Sequence, residues 1–182
     1  MDWLETRAFI ERKFWHAYGA TDVGGFDDYV AVHSSQGLGA ALGYRRAGAE
    51  ALFLEQYLDE PVELAISTLL GREIERPSIV EIGNLASKNA WSMIALWAAA
   101  ANDLGSSSEV AVATLTRPLR QMFARIGVPI KELAAARPER LALTGADWGT
   151  YFRSDPRVYV GSISDGQRSI SAFFSRRERT AA

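Results

Sequence analysis

The stretch from Ser78 to Leu104 constrains this chain more than any other. Ser78-Ile79-Val80-Glu81-Ile82-Gly83-Asn84-Leu85-Ala86-Ser87 reads as a buried strand that leads directly into an apolar helix, Asn89 to Ala101. The helix's longest apolar run, Ala90 to Ala101, is broken only by Ser92 and spans 12 residues. A membrane-spanning helix needs about 20, so this is a core helix. Folding alone does not ask for a carboxylate and an amide inside the strand. A buried charge costs several kcal/mol unless it is paired. Glu81 and Asn84 therefore belong either to a satisfied internal network or to a site.

The rest of the chain supplies layers around this unit. Residues 7–18 form an amphipathic helix with Ile10, Phe14, Trp15 and Tyr18 on one side. Tyr29–His33 and Leu38–Tyr44 read as a hairpin across Ser34–Gly37. Phe53–Leu58 fits strand or helix, and Asp59-Glu60-Pro61 opens a helix that stops at Gly71. Val110–Thr114 is a second buried-type strand, and Thr116-Arg117-Pro118 opens a helix ended by Gly127. A further strand runs from Val158 to Ile163. The order predicts an α/β fold: a single mixed, mostly antiparallel central sheet with helices on both faces. The predicted domain is residues 1–170, with 171–182, including Arg176-Arg177-Glu178-Arg179, a frayed basic tail.

Composition excludes several chemistries. With no cysteine, the chain has no disulfide, thiolate metal site or cysteine nucleophile. A net charge of −2 selects neither nucleic acid nor an anionic membrane. Met1–Phe14 contains Asp2, Glu5 and Glu11 and no secretory h-region, which fits a bacterial cytosol and a cytoplasmic protein. His16 and His33 lack metal-ligand spacing, so no metal is expected. There is no Gly-x-Ser-x-Gly turn, Walker loop or dinucleotide fingerprint.

Four other features compete for function. Strand alternation puts Glu81, Gly83 and Leu85 on one face, and Gly83 admits either a ligand or a bulge. Ser87-Lys88-Asn89 offers a helix N-terminus, as an anion site or as an ordinary cap. Arg117 follows Thr114-Leu115-Thr116 at a strand-to-helix passage, where it reaches an anion or simply solvent. Trp148-Gly149-x-Tyr151-Phe152 is an aromatic cluster that lines an acyl pocket or covers a sheet edge.

Several motifs resemble the bacterial thermostable haemolysin family. They are Leu52-Phe53-Leu54-Glu55-Gln56-Tyr57-Leu58-Asp59-Glu60-Pro61, Ile79–Ala86, Leu119-Arg120-x-Met122-Phe123-x-Arg125-Ile126-Gly127 and the Trp148 cluster. The resemblance covers roughly residues 7–163. It implies a fold like the GNAT acyltransferases and, among them, the acyl-homoserine-lactone synthases. In such enzymes the strand matching Val80–Ala86 carries the active-site carboxylate. Its backbone and the next helix N-terminus hold the thioester and pantetheine arm. Ser87-Lys88-Asn89-Ala90 departs from that pattern by lacking a Gly-rich pyrophosphate loop, which leaves room for a carrier-protein donor.

The resemblance implies an acyltransferase that uses an acyl-CoA or acyl-carrier-protein thioester and a small, amino-acid-like amine. Glu81 is then the general base, and backbone N–H groups near Gly83–Leu85 stabilise the oxyanion. Gly83, Leu85, Ser87, Lys88 and Asn89 hold the donor, while Asn84 and Glu55 position the acceptor. Arg45 or Arg117 holds an acceptor carboxylate or donor phosphate, and Thr114 and Trp148 line the substrate site. The alternatives are a membrane-active haemolysin without turnover and a GNAT-shaped binding module. Membrane contact is the less favoured reading, and haemolysis through an acylated product reconciles the name with an enzyme.

Overall fold

The computed structural model describes residues 3–142 and 147–181. Its sheet has six strands: β1 (Asp28–Ser34), β2 (Gly37–Arg46), β3 (Ile79–Ser87), β4 (Val110–Leu115), β5 (Lys131–Ala135) and β6 (Arg157–Ser162). Their order is β1-β2-β3-β4-β6-β5. Among the described residues only the β3–β4 pair is parallel. The mixed, mostly antiparallel sheet is thus as expected. The parallel pair follows because β3 returns to β4 through a crossover helix, whereas a hairpin can join only antiparallel strands.

Five helices cover the sheet: α1 (Trp3–Tyr18), α2 (Val62–Leu70), α3 (Ala90–Leu104), α4 (Arg117–Ile126) and α5 (Ile163–Ala181). Phe9, Ile10 and Phe14 of α1 pack with Ala41 and Ala86, while α2 buries Val62 and Ile66 with Ile79, Val110 and Val112. On the opposite face α3 buries Met93, Leu96 and Trp97 with Val80, Ala113 and Leu115. Within α1, Trp15 is exposed and Phe9 takes the inward place assigned to it from periodicity.

Local chemistry explains the element ends. Asn89 caps α3 by accepting the Ser92 N–H at 2.9 Å. Gly71 and Gly127 close α2 and α4 in the left-handed conformation, at φ 67° and 80°. The ambiguous 53–58 run is a 3-10 turn, Phe53–Tyr57. Two elements escape the sequence reading. β5 lacks the apolar alternation that marks a strand, because it is an edge strand. The other is α5, for which no helix was expected; where a frayed tail was predicted from 171, Phe173 and Phe174 pack on Trp91 and the Arg177 guanidinium lies 4.4 Å from the Trp91 ring centre.

The central strand is irregular in one decisive place. Gly43 pairs with Gly83 but Ala41 pairs with Ala86, so Asn84 and Leu85 together oppose Leu42. Asn84 takes φ 52°, which makes this a bulge in β3. A bulge adds one residue and reverses side-chain alternation beyond it. Leu85 therefore packs with Ile82 in the α3-side core, and it does not share the face of Glu81 as strict alternation predicts.

Candidate active site

Glu81 is 3% exposed, and each of its oxygens accepts one backbone hydrogen bond. One carboxylate oxygen accepts the Phe53 N–H at 2.8 Å and the other the Leu54 N–H at 3.0 Å. These are donors at the start of the Phe53–Tyr57 turn, which has no intrahelical acceptor for them. Glu55 shapes that turn: it accepts the Leu52 N–H at 2.9 Å and the Val62 N–H at 3.2 Å. Arg76 clamps Glu55 with two bonds of 2.8 Å and adds Glu63 at 2.8 Å. Arg76 holds the Glu55 carboxyl down at about 2.

Arg45 lies directly across from Glu81 in the β2–β3 ladder. Its Nε is 3.4 Å from Glu81 Oε2, close enough for an ion pair but without hydrogen-bond geometry. Nη2 donates to the Gly25 carbonyl at 2.6 Å, Nη1 is 3.6 Å from Glu50, and the guanidinium lies 4.5 Å from the Phe26 ring centre. Phe26 fits there because Gly43 and Gly83 are side by side. A Cβ on either would stand 2.5 or 2.6 Å from the ring. Burial pushes the Glu81 carboxyl up to about 7, against the pull of Arg45 and the two backbone donors.

A cleft with a cavity volume of about 70 Å³ opens over Glu81. It exists because β3 and β4 pair only from Ile79↔Val110 to Ile82↔Ala113 and then part. Gly83, Asn84 and Leu85 line one side, with Thr114, Thr116 and Leu119 on the other. The backbone of Gly83–Leu85 has no strand partner toward β4. Phe14, Tyr18, Phe53, Tyr57, Trp148 and Tyr151 complete the walls. Burial raises the phenols of Tyr18, Tyr57 and Tyr151 above their ordinary value, so all three are neutral donors.

A second, apolar cavity of about 80 Å³ lies on the α3 side of the sheet. Trp97, Ala100, Ala113, Phe123, Gly166 and Ile170 are among its walls, and Ile82 lines both spaces. Trp97 stacks on Phe123 at 3.9 Å, which stiffens this wall.

The predicted site residues separate into two groups. Glu81, Arg45, Gly83, Asn84, Leu85, Thr114 and Trp148 meet at the cleft. Within it Asn84 donates its side-chain N–H to Gly24 O at 3.2 Å, tying the bulge to the Gly24–Phe26 loop. Arg45 is tied to the same loop through Gly25 O, with Glu81 and Glu50 opposing its charge. Glu55 lies outside the cleft lining, where it supports the turn that holds Glu81. Arg117 points away, 66% exposed and 3.8 Å from Asp155. Ser87, Lys88 and Asn89 are also outside the lining: Lys88 donates to Gln36 O at 3.0 Å and Asn89 is spent on the α3 cap.

The sequence reading missed the aromatic walls supplied by Phe14, Tyr18, Phe26 and Tyr57. Their one available signal is the pairing of Gly24-Gly25-Phe26 with glycines at 43 and 83, which means nothing until the strands are in register.

No curated protein matches the sequence. Among solved structures the chain is similar to FeeM, an N-acyl amino acid synthase from uncultured soil microbes, with a TM-score of 0.59 and 10% identity over 90% of this chain and 92% of that one. It is similar to BjaI, a CoA-dependent acyl-homoserine lactone synthase, with a TM-score of 0.57 and 15% identity over 95% and 78%. LasI, an AHL synthase, gives a TM-score of 0.55 and 14% identity over 92% and 83%. Likeness at these identities establishes the fold, which is that of the acyltransferase-fold synthases. The thermostable hemolysin family model matches residues 1–167, and the chain belongs to that family.

Proposed function

We propose that this protein transfers an acyl group from a CoA or carrier-protein thioester to a small amine. The observation that carries the reading is a buried carboxylate, held near neutrality, at the point where two parallel strands part. A base with its pKa near 7 takes a proton from an ammonium without being a permanent charge. Both its oxygens are anchored by backbone donors, so the carboxylate is positioned before substrate arrives.

The thioester carbonyl lies against the Gly83–Leu85 backbone, whose N–H groups face the developing oxyanion. Glu81 receives a proton from the amine, the nitrogen attacks the carbonyl carbon, and the C–S bond breaks to release the thiol. The proton on the leaving sulfur comes from a neutral phenol in the cleft or from water. The chain has no cysteine, which favours direct attack over a cysteinyl acyl-enzyme. The alkyl part of the donor extends past Ile82 into the apolar cavity, where burial contributes about 0.8 kcal/mol per methylene.

Incubation with long-chain acyl-CoA or acyl carrier protein and a panel of amines tests this directly. Thiol release matched by amide product in mass spectrometry is expected. Absence of thiol release with every donor and acceptor sinks the proposal.

A further inference from the structure

The cleft's charge inventory says what kind of amine it suits. Among the described residues lining it, the charged side chains are Glu81 and Arg45. Arg45 donates to Gly25 O and lies over Phe26, and its charge is balanced by Glu81 at 3.4 Å and Glu50 at 3.6 Å. The nearby Arg76 is clamped to Glu55 and Glu63, and Arg120 is bound to Asp155 and to Leu115 O; neither lines the cleft. Among the described lining residues, a substrate carboxylate meets no cation whose charge is not already opposed by a carboxylate, and it would face the Glu81 carboxylate.

The remaining surface is aromatic and continuous. Phe53 and Trp148 stand 5.9 Å apart, Trp148 and Tyr151 5.3 Å, Tyr151 and Tyr18 5.2 Å, and Tyr18 and Phe14 5.6 Å between ring centres. Such rings stack on another ring and attract a cation to their faces. A carboxylate gains nothing from the ring faces and loses its water there, with only the neutral phenols and the Trp148 indole N–H left to donate to it.

We propose that the acceptor is an arylalkyl primary amine without a carboxylate, its amine at Glu81 and its ring against the Trp148 wall. This assignment rests on the acyl-transfer reading and narrows its acceptor from the amino-acid-like class. It also separates this chain's substrate from that named for the N-acyl amino acid synthase whose fold it shares. An acceptor site built to hold a carboxylate would carry a cation not already balanced by the protein's own carboxylates, and among the described residues this lining has none.

The experiment compares acceptors that differ only in the carboxylate. Rates with 2-phenylethylamine against phenylalanine, and with tyramine against tyrosine, are measured with one long-chain acyl-CoA. The expected kcat/KM is at least about tenfold higher for the amine in both pairs. Equal rates, or preference for the amino acids, overturn the proposal and leave acyl transfer standing. In a second arm, saturation-transfer NMR follows binding of 2-phenylethylamine to the protein without donor. Binding that weakens several-fold in Trp148→Ala and is retained in Trp148→Phe supports the assigned wall. Unchanged binding in a folded Trp148→Ala counts against it. If that variant fails to fold, the paired acceptors on the wild-type protein still decide. Amine binding without any amide product would instead retain the ligand class and remove the acyl-transfer reading, and no binding with no product removes both.

Discussion

Arg45 and Glu81 face each other across two adjacent strands, 3.4 Å apart, yet no hydrogen bond joins them. The arginine moderates the carboxylate's charge from the side while two backbone N–H groups hold its oxygens. Burial outweighs both, and the result is a carboxyl raised to about 7, not the fully suppressed one that an optimal buried bidentate pair produces.

The rate of amide formation should therefore rise with pH through about 7 as Glu81 loses its proton. Replacing Arg45 with Met removes the opposing charge and should move this limb upward by about one unit. A kcat/KM profile of both proteins reads the shift, and coincident limbs would separate Arg45 from the titration.

Glu81→Gln should lower kcat/KM by roughly 10²–10⁴ and erase the limb. It also has a signature in stability. A carboxyl raised from 4.5 to about 7 favours the folded state fully below 4.5, and that contribution is lost as pH rises through 7. The variant lacks this loss, so its stability relative to wild type should improve from pH 5 to pH 8. Urea melts at the two values check it.

Gly83→Ala places a Cβ 2.6 Å from Phe26 Cζ. The ring must move, and Arg45 with it, at about 1–3 kcal/mol of stability. Adding Phe26→Leu should recover part of the loss. A double-mutant cycle that shows simple additivity would contradict this contact.

Arg76→Met removes the clamp on Glu55 and should cost about 1.5–3 kcal/mol at neutral pH. Glu55 is held down at about 2, so its contribution is present above 4.5 and fades as pH falls toward 2. Wild type and variant should converge in acid melts. The variant should also lower kcat, because the turn that anchors Glu81 loosens.

Ala100→Phe fills the apolar cavity from α3. Turnover of long acyl donors should fall at least about tenfold while short donors are spared, as one lost methylene alone is worth roughly a factor of 4. An unchanged chain-length profile would place the alkyl chain elsewhere.

Much of the layered fold was legible because its signals are local. β3 and α3 follow from one apolar run that changes period at Asn89, and Gly71 and Gly127 announce helix ends by their own backbone freedom. Glu81 stood out because a carboxylate does not belong in a strand core. β5 and α5 were not legible, since one is a polar edge and the other is ordered by contacts such as that of Phe173 with Trp91, 82 positions earlier.

The candidate site divides along the same line. The sequence alone determined that a carboxylate sits in the central strand beside a glycine, with a core helix following. Only the tertiary structure decided that Glu55 is a brace, that Arg45 is already occupied, and that Phe26 fills the space over Gly43 and Gly83. The reason is physical. A residue's type and period act over a few neighbours along the chain, whereas partner choice depends on register. One extra residue at Asn84 reverses the strand's faces, and no local pattern reports it.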